Sequence, residues 1–344
     1  MLFLLVSMAI SIGSFTLRNN VALAPMSGVT DVPFRLAAWR AGAGYVVSEM
    51  VASQELAKAR PDVVRRAEGH PEVSPFVVQL AGREPQWMSE GARLAEAAGA
   101  DIVDINMGCP SRQVTGALSG SALMRDLDLA ESLIRATISG TSKPVTLKMR
   151  LGWDHSMLNA PELAKRAEDA GVKLITVHGR TRNQFYKGTA DWHAVAATRQ
   201  ATSLPLIVNG DIVDLNTARA ALNASGADGV MIGRASVGKA WLPGAIADAL
   251  MSGADLILEP SIEAQTSSFF EHYQDIIDHY PDGLGVRMAR KHLAAFIDEA
   301  PLDVPQKARR EARALLCQLT SSLEVIEELR EFLLKGYVSH RVAA

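Results

Sequence analysis

The stretch LITVHGRTRNQFYKGTADWHAVAATRQATSLPLIVNGDIVDLNTARAALNASGADGVMIGR, residues 174–234, contains three short apolar runs: LITVHGR (174–180), PLIVNGD (205–211) and GVMIGR (229–234). Their brevity and β-branched character suit strands covered on both faces. Five more runs precede them: VALAPM (21–26), YVVSEM (45–50), FVVQLAG (76–82), DIVDINMGC (101–109) and PVTLKMR (144–150). Between most of them lie Ala- and Leu-rich segments of helical period that close on glycine, such as PQWMSEGARLAEAAGA and NAPELAKRAEDAGV. Strand and helix alternating eight times over about 250 residues predicts an α/β fold of the (β/α)8 TIM barrel type. An open doubly wound sheet is the alternative. The runs end on groups that an apolar core would not select: Ser27, Glu49, Gln79, Asn106, Lys148, His178, Asn209 and Arg234. In a barrel those ends converge on the C-terminal mouth, so they describe one site.

After residue 250 the pattern changes. Ile262, Phe269, Tyr273, Ile276 and Tyr280 fall at three- and four-residue steps on one helix face. GVRMARKHLAAFIDEA, VPQKARREARALLCQL and SSLEVIEELREFLLKG read as three further helices. The expected division is a catalytic barrel over 1–252, with 1–12 as an N-terminal extension, and a small C-terminal helical domain over 253–344. The first residues, MLFLLVSMAISIG, are too short for a membrane span and have no basic residue before Arg18. They read as an edge strand or an over-long start rather than a cleaved signal. A net charge of −3 argues against a wholesale polyanion binder but leaves room for a local basic face. Cys109 and Cys317 are the only thiols, so no disulfide framework exists and a reducing, cytoplasmic setting is expected.

Lys148, at the end of a buried run, needs a counter-charge or a charged ligand. A salt bridge to Glu49 is one reading; a cation facing negative charge on a reduced flavin is the other. The loops after the last two runs, with Gly210, Gly233 and Arg234, sit where barrels commonly hold a phosphate. No GxxxxGK[ST] or GxGxxG is present, and the scattered His155, His178 and His193 give no metal signature, so no metal is expected. Cys109 lies between Gly108 and Pro110, ahead of a Gly- and Ser-rich segment, SRQVTGALSGSALM (111–124), that reads as a mobile lid. As a metal ligand it lacks partners, and as a nucleophile it lacks an adjacent base. A thiol that gives its proton to a carbanion-like carbon suits the position, with a buried spectator as the alternative.

These stretches resemble the tRNA-dihydrouridine synthases, in particular their bacterial B-type branch. The likeness is carried by APMSGVTDVPFR (24–35), SEM (48–50), VQLAG (78–82), DINMGCP (104–110), GSALM (120–124), LKMRLGW (147–153), HGRT (178–181), NGDI (209–212), GADGVMIGRA (226–235) and RMARKH (287–292). The resemblance implies an FMN-binding barrel with a helical tRNA-binding domain, reduced by NADPH (or NADH), acting on uridines of tRNA such as those of the D-loop. Hydride would go to C6 and a proton from Cys109 to C5. Flavin contacts are implied at Pro25, Met26, Ser27, Gln79, Lys148, His178, Asn209, Gly210, Asp211, Gly233 and Arg234. Asn106, Arg150 and Tyr186 are implied to hold the uracil. A monomer without membrane attachment is expected. Two departures bear on RNA contact: Arg112 is the only cation in the segment after Cys109, and LAAF follows RMARKH where relatives often carry Trp and Tyr. Arg287, Arg290, Lys291, Lys307, Arg309, Arg310 and Arg313 form the expected basic cluster. An FMN barrel reducing a free pyrimidine, or a non-catalytic RNA-binding regulator, are the rival readings.

Overall fold

The computed structural model describes residues 9–111, 114, 118–281 and 283–338. A hairpin of β1 (Ser11–Ile12) and β2 (Phe15–Thr16) precedes β3 (Val21–Leu23), β4 (Tyr45–Val46), β5 (Met50–Ala52), β6 (Val77–Ala81), β7 (Ile102–Met107), β8 (Val145–Arg150), β9 (Leu174–His178), β10 (Leu206–Asn209) and β11 (Gly229–Ile232). Nine of these form one parallel sheet in the order β4-β3-β11-β10-β9-β8-β7-β6-β5. Its two end strands, β4 and β5, are halves of one segment interrupted at Val47–Glu49. Across that break Ser48 N–H donates to Val77 O (3.1 Å) and Ser48 Oγ accepts from Gln79 N–H (2.9 Å). Counting Tyr45 to Ala52 as one strand gives eight, and the sheet closes on itself. The barrel expectation holds, and the open sheet does not.

Helices return the chain between the strands. Several start on an aspartate whose side chain accepts a backbone N–H: Asp31 from Phe34, Asp126 from Leu129, Asp191 from Ala194 and Asp214 from Thr217. The barrel's lower interior is apolar, with Ala22, Tyr45, Val77, Ile102, Leu174, Ile207 and Met231 facing Ile10, Ile12 and Leu17 from the hairpin. The N-terminal segment is therefore not an edge strand of the barrel. Where it is described, it is a separate hairpin packed under the barrel.

Helices Ile262–His279, Leu284–Glu299, Gln306–Leu316 and Ser322–Lys335 follow, as the periodicity predicts. They share a core that includes Phe269, Tyr273, Leu293, Phe296, Leu316, Leu329 and Phe332. One expectation for this part needs correction. Arg309 is buried and donates to the carbonyls of Ile297, Asp298, Ala300 and Leu302, so it ties down the end of helix Leu284–Glu299 and does not face RNA. Cys317 caps helix Gln306–Leu316 and is half-buried against the helical core.

The helical unit docks on the barrel through helix Val32–Arg40. Arg40 pairs with Asp275 (2.9 Å), and Tyr280 Oη donates to Asp31 (3.0 Å). Beside this lies a cluster that sequence spacing could not reveal. Ligand-type atoms of Asp31, His272 and His292 lie within 4.8 Å of one another, all buried. Phe34 stacks on the His292 ring at 4.8 Å. A cavity of about 30 Å³ is lined by Phe34, Trp241, Gln265, His272, His292 and Phe296. Burial lowers His272 to about 4, outweighing the attraction of Asp31.

This sets a pH dependence. His272 is neutral in the fold, whereas the unfolded chain binds a proton near the ordinary histidine value of about 6.5. Its contribution to stability is complete above that pH and is lost as pH falls towards about 4, a difference of roughly 3 kcal/mol from 1.4 kcal/mol per pH unit. Urea midpoints of the native protein should drop between pH 6.5 and 4.5, and drop less in His272→Phe. Equal slopes for the two proteins would refute the assignment.

Candidate active site

The upper barrel interior is polar because alternate residues of β6 to β10 point inward just below the mouth. On β7, Asn106 is buried and its Oδ1 accepts from Gly108 N–H (3.1 Å) and Cys109 N–H (2.9 Å). This turns the chain out of the strand and leaves Cys109 half-exposed at the rim. The Cys109 carbonyl is gripped twice by Ser121, from N–H at 3.1 Å and Oγ at 2.8 Å. Gly120 makes that approach possible: its φ is +61°, and a Cβ there would lie 2.8 Å from Cys109 O. The expected lid falls partly on residues 112, 113 and 115–117, including Arg112, which lie outside the described residues. From Ser119 onward the segment is clamped: Ser119 Oγ donates to Gly82 O (3.0 Å), and Gly120–Arg125 is a 3-10 turn.

Lys148 is buried on β8 and donates to Asn209 Oδ1 (3.1 Å). It does not pair with Glu49, which instead accepts from Gly28 N–H across the barrel rim. Burial, then Arg150, lowers the Lys148 ammonium to about 8, while Asp104 and Cys109 pull the other way. Among the described residues Lys148 forms no ion pair. Arg150 is 1% exposed and donates to Gly108 O (2.8 Å), Thr181 O (2.8 Å) and Phe185 O (2.9 Å). It thus binds the Cys109 turn to the loop after β9. That loop presents Tyr186, 52% exposed, with Arg150 and Arg234 at 5.7 and 5.3 Å from its ring.

Arg180, within HGRT, has a role that its place in the sequence does not reveal. It is 2% exposed and donates to Lys187 O (3.3 Å), Gly188 O (2.7 Å) and Asp211 Oδ2 (2.5 Å). Its Nη1 also lies 3.3 Å from His178 Nε2. A guanidinium only donates, so Nε2 accepts and the ring proton sits on Nδ1. Burial and the charges of Arg150, Lys148, Arg180 and Arg234 hold His178 well below the usual histidine range, so it is neutral. Burial raises the Asp211 carboxyl, but Arg180, the Ala190 amide and Arg234 outweigh it and keep it below its ordinary range. Asp211 is therefore engaged with Arg180 and, at 3.4 Å, with the largely exposed Arg234.

Asn209 Nδ2 donates to Met231 O (2.7 Å), and Gly210, at φ +113°, lies where a Cβ would meet the His178 ring at 2.8 Å. At Gly233 an added Cβ would meet nothing nearer than Met26 Sδ at 3.7 Å, which leaves the loop after β11 open. Pro25 and Met26 are half-buried and Ser27 is exposed on the loop after β3. Gln79 is buried, bonded to Asp104 Oδ2 (2.7 Å) and Asn106 Nδ2 (2.8 Å). A buried ammonium without a carboxylate partner, beside open glycine loops and Arg234, suits an anionic group with a polar ring edge. The donor set fits a flavin mononucleotide.

The dihydrouridine synthase (Dus) family profile matches residues 22–335. A probable tRNA-dihydrouridine synthase of Rhodobacter capsulatus is 50% identical over 92% of this chain and 98% of the relative. One of Rhizobium leguminosarum bv. phaseoli is 51% identical over 82% and 86%. The tRNA-dihydrouridine synthase B of Pseudomonas putida is 44% identical over 85% and 87%. Among solved structures, morphinone reductase in complex with tetrahydroNAD aligns at TM-score 0.50 and 17% identity, covering 75% of this chain and 93% of that one, a likeness of fold.

The His178 tautomer is directly measurable. Nitrogen chemical shifts should place the proton on Nδ1, with no titration from pH 7.5 to 5.5. A ring that titrates near 6.5 would refute the arrangement.

Proposed function

This chain belongs to the dihydrouridine synthase family, and we propose that it reduces the C5=C6 bond of uridines in tRNA to give 5,6-dihydrouridine. The observation that carries this reading is the half-exposed Cys109 held at the barrel rim, on the same mouth as the buried Lys148 and Arg150. In the proposed site Gln79, Lys148, His178 and Asn209 hold the ring of FMN. Gly210, Asp211, Gly233 and Arg234 would hold its phosphate end, and Pro25, Met26 and Ser27 would border it. FMN bound there, once reduced by NADPH or NADH, would supply the hydride that C6 of the uracil accepts.

The remaining chemistry belongs to the chain's own side chains. Hydride at C6 leaves enolate charge spread from C5 to the C4 carbonyl, and a proton at C5 quenches it. Cys109 Sγ is the proposed donor. Lys148 and Arg150 place positive charge beside the developing anion. Of the three residues expected to hold the uracil, Asn106 and Arg150 spend their bonds on the turn that carries the thiol, and Tyr186 offers an exposed ring on which a base can stack. The target base must leave its stack to enter the barrel. The proposed RNA-binding part is the helical unit from residue 253. Arg313 pairs with Asp298 and Lys307 with Glu311, whereas Arg287, Lys291 and Arg310 form no salt bridge among the described residues. No helix among the described residues is long and apolar enough to cross a membrane. We place the enzyme in the cytoplasm, as a monomer.

Cys109→Ala is expected to retain flavin and its reduction by NADPH, while dihydrouridine formation in tRNA falls about 100-fold or more, the usual scale for a lost general acid. Product yield equal to wild type would remove the thiol from this role. Arg310→Ala should weaken tRNA binding at low salt and reduce the slope of log affinity against log salt by about one. Arg309→Ala should lower thermal stability instead. An unchanged salt slope in Arg310→Ala would move the RNA surface elsewhere.

A further inference from the structure

Beneath Cys109 runs a chain of buried polar groups that ends on two residues, Asp104 and Thr146, to which the proposed chemistry gives no role. Gln79, Asp104 and Thr146 are register partners on β6, β7 and β8, and all are buried. Asn106 stands two residues above Asp104 on the same inward face. Thr146 Oγ1 donates to Asp104 Oδ1 (2.5 Å), and Gln79 Nε2 donates to Asp104 Oδ2 (2.7 Å). Asn106 Nδ2 donates to Gln79 Oε1 (2.8 Å), and Asn106 Oδ1 accepts from the Gly108 and Cys109 amides.

The direction of every bond is fixed from both ends. Backbone N–H groups can only donate, so Asn106 must turn its oxygen to the Cys109 turn and its nitrogen to Gln79. A carboxylate can only accept, so Gln79 must turn its nitrogen to Asp104 and its oxygen to Asn106. With an amide at residue 104 one of the two fixed ends is lost, and only the Gly108 and Cys109 N–H groups oppose the reversed chain, in which an Asn106 N–H would point at the Cys109 amide. Burying a carboxylate in a barrel interior is costly, and here it forms no salt bridge among the described residues. What the carboxylate provides is a second, acceptor-only anchor for the polarity that the backbone N–H groups set at the other end.

We propose that Asp104 is a positioning residue that acts on Cys109 through Gln79 and Asn106, fixing the one amide orientation that holds the thiol-bearing turn in place. This rests on the reading of Cys109 as the proton donor. One N–H of Asn106 Nδ2 remains beyond its bond to Gln79, so the same polarity presents a donor rather than an acceptor at the mouth.

The test compares Asp104→Asn, Asp104→Leu, Thr146→Val and Thr146→Ser with wild type in the full-length protein. Alkylation by iodoacetamide is followed by mass spectrometry from pH 6 to 10, with Cys317 as the internal reference. Single-turnover rates are measured separately for flavin reduction by NADPH and for dihydrouridine formation by pre-reduced enzyme. The expected result is an altered Cys109 alkylation profile in Asp104→Asn with that of Cys317 unchanged. Dihydrouridine formation should slow tenfold or more relative to flavin reduction, with Thr146→Ser near wild type and Thr146→Val between. If Asp104→Leu does not fold, Asp104→Asn carries the test, since it preserves shape. The proposal is overturned if Cys109 alkylates as in wild type in Asp104→Asn, or if both half-reactions fall together with loss of bound flavin. Failure of the wild-type protein to form dihydrouridine would refute the proposed function, and the alkylation profiles would still decide the relay.

Discussion

Three cations taken out of water at one end of the barrel govern this structure. Lys148, Arg150 and Arg180 are each nine-tenths or more buried, and every one needs partners for its N–H groups. The carboxylates available to them are few, and Glu49 is turned away to Gly28. The guanidinium groups therefore take backbone carbonyls, and in doing so fix the loops that form the mouth. Arg150 joins the Cys109 turn to the loop after β9, and Arg180 pins Gly188 and Asp211 while fixing the His178 tautomer. Rigid loops and a positive interior arise from one set of contacts. Such an interior favours an anionic ligand and negative charge that forms during a reaction.

Much of this was legible in the sequence because the barrel repeats. Eight apolar runs appear as eight strand positions, and their polar ends do gather at one mouth. The second run is split, and nothing in YVVSEM reveals that Ser48 bridges the gap with its own hydroxyl and amide. Asp104 gives no signal, because a charge in mid-strand interrupts no apolar periodicity on the outer face. Arg180 shows no role in HGRT, because a guanidinium two residues beyond a strand cannot be seen to fold back under it. Glu49 and Lys148 both lie at strand ends, but ends on different staves of a barrel need not touch.

The helical unit shows the same limit in another form. Its four helices follow from their periodicity, since amphipathic faces are local. Its surface charge does not, since Arg309 looks like any other residue of KARREAR until its guanidinium is seen inside the turn that ends the preceding helix. Asp31, His272 and His292 come together across 261 positions of chain (31 to 292), a distance over which no spacing rule operates. Burial keeps the two imidazoles of this joint neutral at physiological pH, and Arg40–Asp275 and Tyr280–Asp31 provide its polar edges. The unit is thereby held to the first helix of the barrel beside the mouth.

The hairpin under the barrel has a further effect. Ile10, Ile12 and Leu17 stopper the lower end, so among the described residues the doorway left to the interior is the C-terminal mouth. On the proposed reading, a nicotinamide and a nucleobase must use that doorway in turn, since no rear entrance lets one wait while the other departs. Steady-state analysis would then give parallel double-reciprocal lines, and crowding by unreactive RNA would compete against the electron donor.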